Sequence, residues 1–150
     1  MARDVPGSVV NSLRVLGLIV ATSGVITLLI WLMRDDVILG WAEGNERAQV
    51  ILAEGGIEQL RDEAGHDRVV AFVGFALLAM VLGSFFRGGH AWTRYVLTAT
   101  AGVGVLVGAI CLDNHLPTIF VVLSALVILE GLVLSFFLWQ RETTVYLREV

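Results

Sequence analysis

The feature that most constrains this chain is a run of 24 residues, 116–139, that is apolar almost without interruption. At about 1.5 Å per residue, a helix of this length exceeds the roughly 30 Å hydrocarbon core of a bilayer. A single carboxylate, that of Glu130, lies near the middle of the run. The pattern predicts a transmembrane helix that carries one acid at depth.

Three further apolar runs precede it, at residues 15–33, 69–86 and 95–112. The mean hydropathy is +0.82 and 57% of the residues are hydrophobic, which is too apolar for a soluble domain of this length. The first run is longer than the apolar core of a signal peptide, so we expect it to be a retained helix. The sequence therefore predicts an all-α integral membrane protein, with a single domain over residues 1–150 built as an antiparallel bundle of four transmembrane helices.

Residues 34–68 form the one long polar segment, with nine acids and four Arg. Glycines divide this segment, and the stretches 45–54 and 57–64 are each predicted to form a short helix, the first with Asn45 as its N-cap. Because both stretches carry apolar residues, we expect them to lie on the membrane surface or to cap the bundle. The result would be a short, helical, acidic segment outside the cytoplasm.

Arginine placement predicts the orientation, since positively charged residues concentrate on the cytoplasmic side of a membrane. With the N-terminus inside, six of the ten Arg are cytoplasmic and four are outside. The link 87–94, which holds two Arg and no acid, is the strongest single indication. We therefore expect a multi-pass plasma membrane protein with both termini cytoplasmic, anchored at the membrane interface by Arg87, Trp92, Arg94 and Trp139.

Glu130 is the candidate functional residue, because a charge at this depth is costly unless it is neutral or has a partner. Counting residues along the helices places Ser23 of the first span and Gly104 of the third at the same level as Glu130. We expect the Glu130 carboxyl to face Ser23 across a gap opened by Gly104. Two interpretations stay open. One is a proton or cation site, and the other is a hydrogen-bonded structural acid or an acid that meets a partner subunit.

Small residues at helical spacing predict close contacts between helices. In the third span, Thr100, Gly104 and Gly108 recur every four residues. The other spans offer similar positions, which are Gly17, Ala21, Gly24, Ala79, Gly83, Gly131 and Ser135. We expect these positions to serve packing within the bundle rather than a homodimer contact.

Several kinds of site are not indicated. Cys111 is the one cysteine, so dithiol chemistry is excluded. Three potential metal ligands stand at alternate positions, namely Cys111, Asp113 and His115. A tight turn explains this spacing better, so we expect no metal or cofactor. The glycines of 102–108 follow no strand, so they are not a dinucleotide fingerprint. Without a basic cluster or a nucleophile–base pair, neither nucleic-acid binding nor an enzyme is expected.

The link between the second and third spans reads RGGHAWTR from Arg87 to Arg94. It resembles the Arg-Gly-x-x-Trp-Ala-Arg turn between helices two and three of uncharacterised small four-span membrane proteins common in actinobacteria. Thr93 replaces the usual Ala here. The resemblance covers this turn and the general layout of most of the chain. It implies a four-span fold in the cell envelope and transfers no catalytic residue.

The leading functional hypothesis is a non-enzymatic accessory or scaffold subunit of a larger cell-envelope complex. It rests on the small size, the packing faces on every helix and the lack of a catalytic constellation. A small proton-coupled transporter that uses Glu130 is the first alternative, and a membrane regulator or immunity-type protein that senses through the outer segment is the second. Expected partners are membrane lipids and other membrane subunits or a second copy of the chain.

Overall fold

The computed structural model describes residues 5–43, 46–113 and 117–148, and over these residues the chain is helical and contains no strand. The helices within these ranges are α1 (Gly7–Leu32), α2 (Arg34–Glu43), α3 (Glu46–Ala53), α4 (Ile57–Arg87), α5 (Ala91–Asp113), α6 (Thr118–Leu138) and α7 (Arg141–Arg148).

Four segments are long and apolar enough to cross a membrane. They are α1, the part of α4 at Val69–Arg87, the part of α5 at Ala91–Leu112, and α6. The prediction of an all-helical chain with four membrane-length helices is confirmed at this level. Insertion into a bilayer stays a prediction.

The four long helices form a ring in which each contacts two neighbours. Helix α1 lies against α4 and α6, and α5 lies against the same two helices from the other side. The α4–α5 link is tight. Gly89 adopts a φ of 82°, and the His90 amide donates a hydrogen bond of 3.1 Å to the Phe85 carbonyl. Glycine suits this left-handed position because it lacks a Cβ, so the link is short and the two helices run antiparallel.

The apolar core is concentrated at one end of the bundle. Its fully buried members there are Val9, Phe86, Leu97, Leu134 and Leu138, which come from all four long helices. Two side chains of α7 complete this core, and we call this end of the bundle the α7 end. The opposite end, where α2 and α3 lie, is called the loop end.

The polar segment differs from its prediction in one respect. Residues 57–64 do not form a separate short helix but begin α4, which continues to Arg87 as one helix of 31 residues. No Pro interrupts the chain between these points, and extending a helix costs less than nucleating a new one. Helix α3 falls within the predicted stretch 45–54, while Asn45 lies outside the described residues.

Helix α2, which was not predicted, follows α1 after Met33 alone. It contacts α1, α3 and α4. Val37 and Ile38 are buried, whereas Asp35 and Asp36 are exposed. Helix α2 therefore covers part of the loop end with an apolar face and presents its acids outward.

Candidate functional site

Glu130 of α6 meets α1 through a hydrogen bond. Thr22 Oγ1 donates to Glu130 Oε1 at 2.9 Å, and Thr22 is only 9% exposed. Glu130 precedes Leu138, the last residue of α6, by eight positions, which is about 12 Å along the axis. The carboxyl is thus held between two neighbouring long helices, well inside the bundle.

This contact differs from the predicted one with Ser23. Ser23 follows Thr22 by one residue, which turns its side chain about 100° round the helix axis. Its backbone carbonyl accepts a hydrogen bond from Thr27 Oγ1 at 2.9 Å. Gly104 also has a different environment from the predicted one, because a Cβ at this position would meet nothing within 4 Å. Counting along the helices gave the level of Glu130 but not the side of α1 that it faces.

The second carboxyl oxygen, Oε2, is buried and has no hydrogen-bond partner among the described residues. A carboxyl group can make several hydrogen bonds, and burying an unused polar atom costs free energy. Glu130 therefore has the capacity for one more polar contact, either as an acceptor or, when Oε2 carries a proton, as a donor.

Glu130 is the one carboxylate within the described parts of the four spans. No group of three or more His, Cys, Asp or Glu able to hold a metal occurs among the residues with assigned positions. His115 lies outside the described residues, and so does the turn predicted around it. Within the described parts of the spans, no second acid lies at this depth to accept a proton from Glu130.

The small residues of α5 and α6 separate into two groups. An added Cβ at Gly108 would lie 2.9 Å from Ile128 Cγ1, and one at Gly131 would lie 3.0 Å from Val105 Cγ2. Both glycines are therefore needed for the close approach of these two helices. The hydroxyls of Thr100 and Ser135 accompany them but bond to carbonyls of their own helices, each at 2.9 Å.

On α1 the small residues also differ from one another. A Cβ at Gly24 would approach the Phe72 ring of α4 at 3.1 Å, so this glycine lies at a helix contact. A Cβ at Gly17 would meet nothing within 4 Å, and Ala21 is exposed. Gly17 therefore lies where nothing in the described chain packs against it.

Gly17 lines a groove of about 390 Å³ between α1 and α4, which opens at the outer surface of the bundle. We call it the α1–α4 groove. It is lined on α1 by Leu13, Leu16, Gly17 and Val20, and on α4 by Ala76, Ala79, Met80, Gly83, Ser84 and Arg87. The lining is apolar except at the α7 end, where Ser84 and Arg87 lie.

Two of the predicted interface anchors contact each other. The Arg94 guanidinium lies over the Trp139 ring, 3.8 Å from its centroid, and Arg94 is only 9% exposed. Trp139 is half exposed, and its Nε1 donates to Thr98 Oγ1 at 3.1 Å. The ring of Tyr95 meets Trp139 edge-on with centroids 6.0 Å apart.

The other two anchors lie at the α4–α5 link. Trp92 is exposed on its outer side and lies against the Phe85 ring, with centroids 5.8 Å apart. The Arg87 side chain is exposed, and its backbone carbonyl accepts a hydrogen bond of 2.8 Å from the hydroxyl of Tyr146.

Helix α7 is a second helix that the sequence analysis does not predict, since residues 140–150 read there only as a short tail. Thr143 hydrogen-bonds with Ser8 of α1 at 2.9 Å and with the Phe137 carbonyl at 3.0 Å. Its buried residues are Thr143, Tyr146 and Leu147. Their spacing of three and four residues is the signal that would have predicted an amphipathic helix docked on the bundle.

Comparison of the chain with protein-family models, with curated proteins and with solved structures gives no match. The resemblance of the 87–94 link to actinobacterial four-span proteins therefore stays a prediction.

Proposed function

We propose that this protein is a non-enzymatic accessory subunit of a cell-envelope complex, which binds a transmembrane helix of a partner in its α1–α4 groove. The observation that carries the proposal is Gly17. This glycine lines an open groove, and a Cβ there would meet no other part of the described chain.

Apolar surface alone does not drive association in a membrane, because lipid tails are as apolar as Leu side chains. Close backbone approach at small residues does favour it, through van der Waals contact. The α1–α4 groove offers Gly17 on one wall and Ala76 on the other, while Gly83 lies deeper, where its Cβ position is 3.3 Å from Leu13. A groove with this lining supports the docking of a helix rather than of a bulky polar ligand.

The proposed setting is the plasma membrane with the α7 end in the cytoplasm. Among the described residues, the α7 end carries Arg14, Arg87, Arg94, Arg141 and Arg148 against Glu142 alone. Exposed Trp92, Tyr95 and Trp139 lie at the same end, at the level that aromatic side chains prefer in membrane interfaces. Both features support this orientation.

The proposal is tested by filling the groove. Tagged wild-type protein, Gly17→Leu and Gly102→Leu would be purified in mild detergent from the native membrane, and their partners identified and counted by mass spectrometry. Gly102 is the matched control, because it is also an exposed helical glycine whose Cβ would meet nothing. We expect a partner membrane protein to co-purify in stoichiometric amount with the wild type and with Gly102→Leu. We expect Gly17→Leu to lose this partner. A lone chain, or equal recovery with both variants, contradicts the proposal.

A small proton-coupled transporter is the second candidate, and the unpaired Oε2 of Glu130 favours it. A transport site needs a group that exchanges a proton as its environment changes, and Glu130 is the acid placed for this. In proteoliposomes, the wild type would carry protons in a coupled flux and Glu130→Gln would abolish it. Equal flux in wild type and Glu130→Gln, or none in either, rejects the transporter.

A further inference from the structure

Arg94 occupies an unusual position for a cation. It is 9% exposed, and its Nε atom is buried with no hydrogen-bond partner among the described residues. Its one hydrogen bond there runs from Nη1 to Thr144 Oγ1 of α7, at 3.1 Å. A guanidinium has five N–H donors, so several donors of Arg94 have no partner within the described chain.

The charged groups that the structure describes around Arg94 do not neutralise it. The ionisable groups of the described chain that act on it most are the Tyr95 phenol and the Arg148 guanidinium, and neither is a carboxylate. Arg148 repels it. Arg94 is also the fourth residue of α5, at the end of the helix where the backbone dipole is positive. Within residues 5–43, 46–113 and 117–148, two cations and a positive helix end therefore converge without an acid acting on Arg94.

The surroundings of this cluster indicate which kind of anion it would bind. Trp139 and Tyr95 are both exposed and flank Arg94, and amphipathic aromatic rings of this kind lie at the level of lipid headgroups. Arg148 is exposed as well, so the cluster is open on that side. Basic pockets between transmembrane helices near the cytoplasmic surface suit anionic headgroups.

We propose that Arg94, held in place by the Thr144 hydroxyl and the Trp139 ring, and Arg148 bind the phosphate of an anionic phospholipid headgroup at the α7 end. The phosphate accepts hydrogen bonds from both guanidinium groups. The Thr144 hydroxyl, which donates to the Gln140 carbonyl at 3.1 Å, accepts from Arg94 and, with the Trp139 ring, holds the Arg94 plane in place. The lipid thereby ties α7 to α5 and α6. This site is separate from the α1–α4 groove and does not depend on the proposed function.

The test measures lipid selectivity. Wild-type protein would be placed in nanodiscs of equimolar phosphatidylglycerol and phosphatidylcholine, and the lipids that stay bound after release into detergent would be counted by native mass spectrometry. We expect the wild type to retain phosphatidylglycerol selectively. Arg148→Gln should lower that retention about fivefold, the factor that one Arg beside an anionic lipid surface contributes, and Arg94→Gln should lower it further.

Arg141→Gln is the matched control, because Arg141 is exposed on the same short helix and its loss changes the net charge equally. We expect this variant to retain lipid as the wild type does. Equal losses in Arg141→Gln and Arg148→Gln would show nonspecific attraction and overturn the proposal, as would equal retention of the two lipids by the wild type. Should Arg94→Gln fail to fold, the exposed Arg148 still decides the outcome.

A free phosphate ion is the other source of the same chemistry. Thermal unfolding in pure phosphatidylcholine nanodiscs would be followed with and without added inorganic phosphate. We expect no change in midpoint, because the site requires an anion held at the membrane interface. A rise with phosphate that Arg148→Gln abolishes would identify a soluble anion as the ligand and overturn the assignment to a lipid.

Discussion

Thr22 of α1 donates a hydrogen bond of 2.9 Å to Glu130 of α6, across 108 positions of sequence. Interhelical hydrogen bonds of this kind contribute roughly 0.6 kcal/mol on average to membrane proteins, and at most about 1.7 kcal/mol. Here the bond satisfies one oxygen of the acid and leaves the other without a partner among the described residues. The pair therefore stabilises the α1–α6 contact while Glu130 keeps the capacity for a further interaction.

Replacing Thr22 with Val should destabilise the bundle by about 0.6 to 2 kcal/mol, because it keeps the side-chain shape but leaves Glu130 Oε1 without its donor. Ser23→Ala is the control and should cost less, since the hydrogen bond to Glu130 comes from Thr22 and not from Ser23. Equilibrium unfolding in mixed micelles measures both. Equal costs for the two variants would show that the Thr22 bond contributes nothing specific.

Gly108→Ala should destabilise the protein by roughly 1 to 3 kcal/mol, because the new methyl group would overlap Ile128 and push α5 and α6 apart. Gly104→Ala, one turn earlier on α5, should leave stability unchanged or raise it by less than about 1 kcal/mol. Its Cβ meets nothing within 4 Å. The same unfolding assay compares the two, and a larger loss at Gly104 would contradict the packing described for α5.

Gly89→Ala should destabilise the α4–α5 link by about 1 to 2 kcal/mol, because Gly89 adopts a φ of 82° that an L residue disfavours. Gly102→Ala serves as the comparison, since Gly102 is an exposed helical position with open space around it. We expect the two substitutions to act in opposite directions. A neutral Gly89→Ala in thermal unfolding would mean that the link adopts another turn.

Tyr146→Phe should loosen α7 from the bundle, because it removes the part-buried hydrogen bond to the Arg87 carbonyl. The expected cost is about 0.5 to 1.5 kcal/mol. Hydrogen–deuterium exchange should become faster within residues 141–148, while Val145→Ala, at an exposed position of the same helix, should leave it unchanged. Equal exchange in all three proteins would show that this bond does not hold α7.

The proposed orientation is tested with single cysteines in a Cys111→Ser background. Val145→Cys on α7 and Leu39→Cys on α2 both replace exposed side chains, so they form a matched pair for a membrane-impermeant maleimide. We expect Val145→Cys to react in inside-out vesicles and Leu39→Cys in right-side-out vesicles, because the Arg-rich α7 end should face the cytoplasm. The reverse pattern would invert the topology.

The number and approximate placement of the membrane-length segments follow from the sequence alone, although α1 begins at Gly7 rather than residue 15 and α4 at Ile57 rather than residue 69. Residues 69–86 and 95–112 were predicted as spans, and the segments long and apolar enough to cross a membrane are Val69–Arg87 and Ala91–Leu112. Hydropathy indicates these bounds because a helix rises by a fixed length per residue. An apolar run must therefore reach a certain number of residues to cross the hydrocarbon core. The same count placed Glu130 at the level of α1 where its partner lies.

Tertiary structure decided how each helix is turned about its axis and what it contacts. Thr22 rather than Ser23 meets Glu130, and Gly108 rather than Gly104 lies at the α5–α6 contact. The rotation of a helix about its axis and the choice of its neighbours depend on how whole helix surfaces fit together. A helix that is apolar on every side carries no sequence pattern that specifies which face packs. For the same reason, the sequence signals α7 as an amphipathic helix, but only the tertiary structure decides which helix ends it docks on and that Arg94 is buried against the Trp139 ring.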